Sequence, residues 1–322
     1  MTRVLAFVSN VCLECGEYMP CYHPLQVKVS VSETGKKQID FSSSESYDAR
    51  LAFEAGQPLP TNFMSLPCGQ CMGCRLEKSR QWALRCMHEA SLHEDNCFLT
   101  LTYSDDFLPV DGSLDKSHFQ LFLKRFRRAH EGVRIRYFMC GEYGENFSRP
   151  HYHACIFGFD FSDKQLFKRG EYKLYTSPVL DRLWGMGHCT IGDLSFDSAA
   201  YVARYCTKKV TGSRAKEHYA GRQPEYATMS LKPGIGAEWY DKWKGDCFPS
   251  DFLVVNGHKC KPPRYYDKRL ERENPALYED IKQRRQALAE DDDESSYRRL
   301  IDREKCQQAR FKKLIRKIEK AV

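Results

Sequence analysis

No stretch of this 322-residue sequence approaches the length of apolar chain that crosses a bilayer, and its start, Met1-Thr-Arg-Val-Leu-Ala-Phe-Val-Ser-Asn10, is too weakly apolar for a secretory signal. A soluble protein made and used inside a cell is expected. The sequence also has no glycine-rich phosphate loop followed by lysine, which excludes a built-in motor of that type. It has no internal repeat, which excludes a repeat architecture. Charge is not strongly one-sided either. Fifty basic against 43 acidic side chains leave +7, which favours a polyanionic partner but is mild for a nucleic-acid binder.

What is present is a globular composition, 42% hydrophobic, long enough for one sizeable catalytic domain with appendages or for two small domains. Cysteine is abundant, with 15 residues. In a reduced compartment clustered thiols more often bind metal than pair as disulfides. Six fall early, as Cys12, Cys15, Cys21, Cys68, Cys71 and Cys74. The two-residue spacers between Cys68, Cys71 and Cys74 suit thiolates folding back on one ion, and Cys21 or the Cys12/Cys15 pair could complete a tetrahedral zinc site of structural type. Buried free thiols are the alternative. Between the clusters lies a polar, serine-rich stretch, so a loop-rich, metal-stapled entry is expected, with a helix from Arg75 to about His93 leading out of it.

Beyond it, Cys97 to Tyr103 has strand composition and ends at Ser104-Asp-Asp106. Leu114 to Ala129 carries Phe119, Phe122, Leu123 and Phe126 at helical spacing, with Lys124, Arg125, Arg127 and Arg128 interleaved. Val133 to Cys140 and His151 to Phe159 are expected to pair as antiparallel strands around the loop Gly141 to Pro150. A strand is expected from Trp184 to Asp193 and a helix from Ser195 to Val210, capped by Asp197 or Ser195. Leu231 to Gly236 reads as a loop. From Asn274 onward a helical tail of modest packing is expected, with an acidic break at Asp291 to Glu294.

Two patterns carry chemistry. In Pro150-His151-Tyr-His153, a strand places the two imidazoles on one face, their backbones roughly 6.6 Å apart, so that both can grip one cation. Two ligands leave open positions that a scissile phosphate can take. Glu142, ending the partner strand, is the candidate third ligand, with Glu145 as fallback. Taken alone, His-x-His is as readily two surface histidines near a turn. In Tyr201-Val-Ala-Arg-Tyr205-Cys-Thr-Lys208-Lys209, a helix stacks Tyr201 and Tyr205 on one face with Lys208 a turn further on. A phenol beside a cation is a competent nucleophile toward phosphorus. Two core-facing aromatics on an amphipathic helix are the plainer alternative.

Together, in this order and spacing, Phe98-Leu-Thr-Leu-Thr-Tyr103, Pro150-His-Tyr-His153 and Tyr201 to Lys209 resemble the motifs of the His-hydrophobic-His (HUH) endonucleases, specifically the replication initiators of small single-stranded DNA phages, the microviruses. Cys21-Tyr-His-Pro24, Pro67 to Cys74 and Met229 to Gly236 are similar to the gokushovirus branch. The resemblance implies an α+β fold, a central antiparallel sheet flanked by helices, with the tyrosine helix laid across the metal face. It implies that His151 and His153, with Glu142, bind Mg2+ or Mn2+, that Tyr201 and Tyr205 are the nucleophiles, and that Lys208 assists. Residues 1–92 would then be a zinc-binding segment with its leading helix, 93–245 the endonuclease domain and 246–322 a mostly helical extension.

The function implied is a site-specific single-strand endonuclease and ligase that starts rolling-circle replication, leaving a 5′-phosphotyrosine and a free 3′-OH. Its partners would be single-stranded origin DNA and the host's helicase and polymerase, in the host cytoplasm and away from membranes. A plasmid initiator or transposase of the same chemistry, or a non-catalytic zinc-dependent DNA-binding protein, are the alternatives. The basic helix could track phosphates, with nearby aromatics stacking on bases; a solvated charged face is the alternative.

Overall fold

A computed structural model describes residues 20–33, 37–41, 47–144, 147–170, 173–203, 209–210, 212, 214–255, 257–290 and 296–318. Cys12, Cys15, Glu145, Tyr205 and Lys208 lie outside them. The entry segment holds more regular structure than its serine-rich composition suggests. β1 (Leu25–Val31) pairs antiparallel with β2 (Lys37–Asp40) on one side and β3 (Phe63–Leu66) on the other, with α1 (Tyr47–Glu54) between β2 and β3 in the chain. The alternation Leu-Gln-Val-Lys-Val-Ser-Val in β1 is a period-two pattern. α2 (Met72–Ala90) then leads into the main body.

That body is a seven-stranded antiparallel sheet. Its strands are β4 (Asn96–Thr102), β5 (Arg136–Tyr143), β6 (Pro150–Phe157), β7 (Gln165–Lys168), β8 (Leu174–Thr176), β9 (Cys189–Asp193) and β10 (Tyr226–Met229), in the spatial order β10-β5-β6-β4-β9-β8-β7. Strand alternation gives the sheet two faces. On one, Leu99, Leu101, Met139, Tyr152, Ala154 and Ile156 meet α3 (Lys116–Ala129) and α4 (Pro178–Trp184) through Phe119, Phe122, Phe126 and Trp184. On the other, Phe98, Phe138, Cys140, Cys155 and Phe157 meet α2 and α5 (Phe196–Ala203) through Ala83, Cys86, Ala199 and Val202. The buried pair Glu89 and Arg136 ties α2 to β5, and Glu89 also accepts from the backbone N–H of Gly236 at 2.7 Å.

Two expected boundaries change. The strand expected from Trp184 begins at Cys189, because Ser177 caps a helix at Leu180, Pro178 takes its first turn and Gly185 closes it at φ 67°. Trp184 ends α4 and donates its indole N–H to the carbonyl of Thr102 at 2.8 Å. α5 starts as expected, capped by Ser195 rather than Asp197: Ser195 Oγ accepts from the N–H of Ser198 and Ser198 Oγ from that of Ser195, a reciprocal capping box.

The C-terminal part packs more closely than expected. After α6 (Arg214–Tyr219) and α7 (Ala237–Cys247), a hairpin of β11 (Leu253–Val255) and β12 (His258–Cys260) precedes α8 (Arg264–Glu273), α9 (Pro275–Glu290) and α10 (Tyr297–Ile318). Tyr266, Leu270 and Ile281 are buried in a third core with Leu84, Trp239 and Tyr240. Arg285 pairs with both Asp251 and Asp267. Among the described residues no helix is long and apolar enough to cross a membrane.

Candidate functional site

The register of β5 on β6 sets Glu142 directly opposite His151, and that of β4 on β6 sets Thr100 opposite His153. All four side chains leave the same face of the sheet. Glu142 Oε1 lies 3.2 Å from His151 Nε2 and 3.3 Å from His153 Nε2, and the candidate ligand atoms of the three residues all fall within 4.8 Å of one another. Glu142 is 1% exposed and His153 0%, while His151 opens toward solvent at 15% of its side chain. Burial by itself pushes the Glu142 carboxyl up; hydrogen bonding to His151 and His153 and their charge outweigh it and hold the group well below the usual carboxylate range. A buried carboxylate ringed by two imidazoles, one wall open, fits a divalent cation with free coordination positions.

α5 brings Tyr201 to the same point. Its neighbours Ala199, Ala200, Val202 and Ala203 pack into the core between α2 and the sheet, which seats the helix closely enough for the phenol to reach the carboxylate. Tyr201 donates its O–H to Glu142 Oε1 at 3.2 Å. Its ring meets that of His153 edge-on, with centroids 4.9 Å apart, and Phe98 stacks on the other side of His153 at 5.5 Å. Sequence spacing singled out His151, His153, Glu142 and Tyr201, and the fold brings all four together. It missed Thr100 and Phe98, which flank His153; the strand alternation put both on one face, but the neighbouring strand was not readable.

The second cluster is built from Cys21, Cys68, Cys71 and Cys74, whose sulfurs all lie within 4.8 Å of one another. Cys71 Sγ stands 3.9 Å from Cys21 Sγ, near the roughly 3.8 Å between thiolates on a tetrahedral zinc ion with Zn–S bonds of about 2.3 Å. Backbone N–H groups of Tyr22, Cys68 and Cys71 point at these sulfurs, at 3.2 to 3.3 Å. Hydrogen bonding from Cys21 pulls the Cys68 and Cys71 thiols down, the latter to about 6, as suits metal-ligating thiolates. Cys21 thus takes the fourth place. Gly73 allows it: a β-carbon there would stand 2.0 Å from the carbonyl oxygen of Pro20.

The basic side of α3 has another use than the phosphate tracking expected of it. α3 lies on the face of the sheet opposite the histidines. Arg125 donates to the carbonyls of Leu183 and Trp184, closing α4, and Arg127 to that of Ile135.

The family model for replication-associated proteins of the ORF2 type matches residues 96–210, the stretch that contains the Glu142, His151, His153 and Tyr201 group. Similar curated proteins include replication-associated protein VP4 of Bdellovibrio phage phiMH2K, 36% identical over 222 residues, 66% of this chain and 69% of that protein. Replication-associated protein ORF2 of Spiroplasma virus 4 is 33% identical over 291 residues, 84% of this chain and 87% of the other. Replication-associated protein ORF4 of Chlamydia phage 1 is 33% identical over 211 residues, 62% of this chain and 52% of the other. No solved structure matches the chain significantly.

Proposed function

This chain belongs to the replication-associated proteins of microvirus-like phages, and from that premise we propose that it nicks single-stranded DNA at a replication origin by tyrosine attack, as an HUH endonuclease. The observation that carries the reading is the convergence of one carboxylate, two imidazoles and one phenol on a single point: Tyr201 bonds at 3.2 Å to the same Glu142 oxygen that faces both histidines. Glu142, His151 and His153 would hold Mg2+ or Mn2+. That ion supplies positive charge against a scissile phosphate as charge builds in the transition state.

The chain's own groups do the rest. The Tyr201 oxygen attacks phosphorus and its proton leaves; the bond from phosphorus to the 3′ oxygen breaks and that oxygen gains a proton. The products are a 5′-phosphotyrosine and a 3′-OH that primes synthesis. Because one phosphoester replaces another, the strand can be rejoined without ATP. Tyr205 is the second phenol, able to cut while the first holds a DNA end, and Lys208 is the cation that steadies it. The four cysteines hold a structural zinc, separate from the chemistry. With no phosphate-loop motor of its own, the chain works with a host helicase and polymerase.

Labelled single-stranded origin DNA incubated with the protein and Mn2+ should give a denaturant-resistant protein–DNA adduct. Changing Tyr201 and Tyr205 together to Phe should abolish it; full attachment by that double variant refutes the mechanism, and a wild type that binds the DNA but never attaches it points to a non-catalytic DNA-binding protein.

A further inference from the structure

The metal-facing edge of each histidine is decided by what its other nitrogen touches. His151 Nδ1 stands 3.1 Å from the carbonyl oxygen of Arg149, an acceptor only, so Nδ1 carries the proton and Nε2 is left with its lone pair toward Glu142. The Nδ1 of His153 faces a side chain instead. It stands 3.0 Å from the hydroxyl oxygen of Thr100, and its Nε2 also faces Glu142. Both contacts are sealed from solvent: Thr100 is 5% exposed and His153 0%.

We propose that Thr100 is a positioning residue of the metal centre: its hydroxyl accepts the Nδ1–H of His153, fixes that tautomer and ring angle, and thereby presents Nε2 as a ligand. The inference rests on the reading of Glu142, His151 and His153 as a cation site. Three features give the hydroxyl that role. The β4–β6 register places Thr100 directly opposite His153, so the contact is built by backbone pairing. Phe98, two residues earlier on the same face, stacks on the His153 ring at an interplanar angle of 16°, and Tyr201 closes the other side edge-on, so the ring keeps its plane while the hydroxyl sets its protonation. The contact at His153 Nδ1 is also made by a side chain and can be removed by substitution, whereas the partner of His151 is backbone and survives any side-chain change.

The test is Mn2+ titration of the full chain without DNA, monitored by calorimetry, with the imidazole tautomers read by 15N NMR on the metal-free protein. Outer-shell partners of histidine ligands typically carry 10- to 100-fold in metal affinity. Thr100→Val should therefore weaken Mn2+ binding by roughly 10- to 100-fold and shift His153 toward a mixture of tautomers, leaving His151 unchanged. Its adduct formation should recover at raised Mn2+, a change in metal requirement without loss of maximal rate. Since a buried substitution can unfold the chain, Thr100→Ser and Thr100→Ala form a second pair: both lose the methyl, and only Ser keeps the hydroxyl. Ser near the wild type and Ala weakened supports the role. Equal affinity of Ser and Ala, or wild-type affinity and tautomer in Thr100→Val, overturns it. A wild type that binds no Mn2+ overturns the metal reading itself, and the inference with it.

Discussion

Gly73 shows how one missing side chain can decide whether a site exists. The segment from Pro20 to Tyr22 lies against the first turn of α2, and a β-carbon at Gly73 would meet the Pro20 carbonyl at 2.0 Å and the Tyr22 ring at 3.0 Å. Gly73→Ala must push that segment, and Cys21 with it, away from Cys68, Cys71 and Cys74. A cost on the order of 1–3 kcal/mol is expected from such overpacking, together with a fall in bound zinc, read by metal analysis of the purified protein. The residues of both clusters were legible as types at spacings: His-x-His on a strand, Tyr at i and i+4 on a helix, Cys at two-residue intervals. Which cysteine completes the second cluster was not, since the choice between Cys21 and the Cys12/Cys15 pair depends on a close approach that only Gly73 permits. Glu142 was legible because it closes the strand that pairs with the histidine strand; Thr100 was not, because its partner His153 is 53 residues away in the chain.

At the scale of elements, α2 is the organiser. One side packs with α5 against the sheet, and another receives α7 and α8, where the His88 ring stacks on Trp239 with centroids 3.6 Å apart and bonds the Tyr266 hydroxyl at 2.8 Å. Burial lowers the His88 pKa from 6.5 to about 4. The sign follows from linkage: between these values the unfolded chain takes up a proton that the folded chain refuses. Stability from this group is therefore complete above about pH 6.5 and is lost as pH falls through about 4, by an amount on the order of 3 kcal/mol. Thermal melting between pH 7 and 4 should show the decline, and His88→Gln should flatten part of it. The cap of α5 is a second lever. Ser195→Ala removes an acceptor and should cost about 1 kcal/mol while loosening the helix that carries Tyr201, which lowers adduct formation more than global stability. Long elements with a clear period, α2, α3, β5 and β6, were readable; β7, β8 and β10 were not, being three or four residues each and lying toward the edges of the sheet, where burial imposes little pattern.

Across the whole molecule the two ends of the described chain meet. His23, beside Cys21, pairs with Glu304 on α10 at 2.8 Å, and Phe53 on α1 meets Tyr297 edge-on at 5.9 Å. Leu300 is buried in the same region. Stripping the zinc should therefore raise amide exchange in 20–33 and in 297–310 together, while the central sheet stays protected; equal loss of protection in β4 to β6 would show that the cluster supports the entire fold. Nothing in the composition linked the cysteines to the C-terminal helix, because a contact between residues so far apart leaves no local periodicity. The catalytic account itself stands on one contact across this assembly, the Tyr201 phenol at the Glu142, His151 and His153 group. Mass spectrometry of the adduct formed on single-stranded origin DNA with Mn2+ tests it most directly. The account predicts nucleotide mass on Tyr201 after the first cut; attachment to a residue remote from the metal group, or to none while Tyr201 is intact, contradicts it.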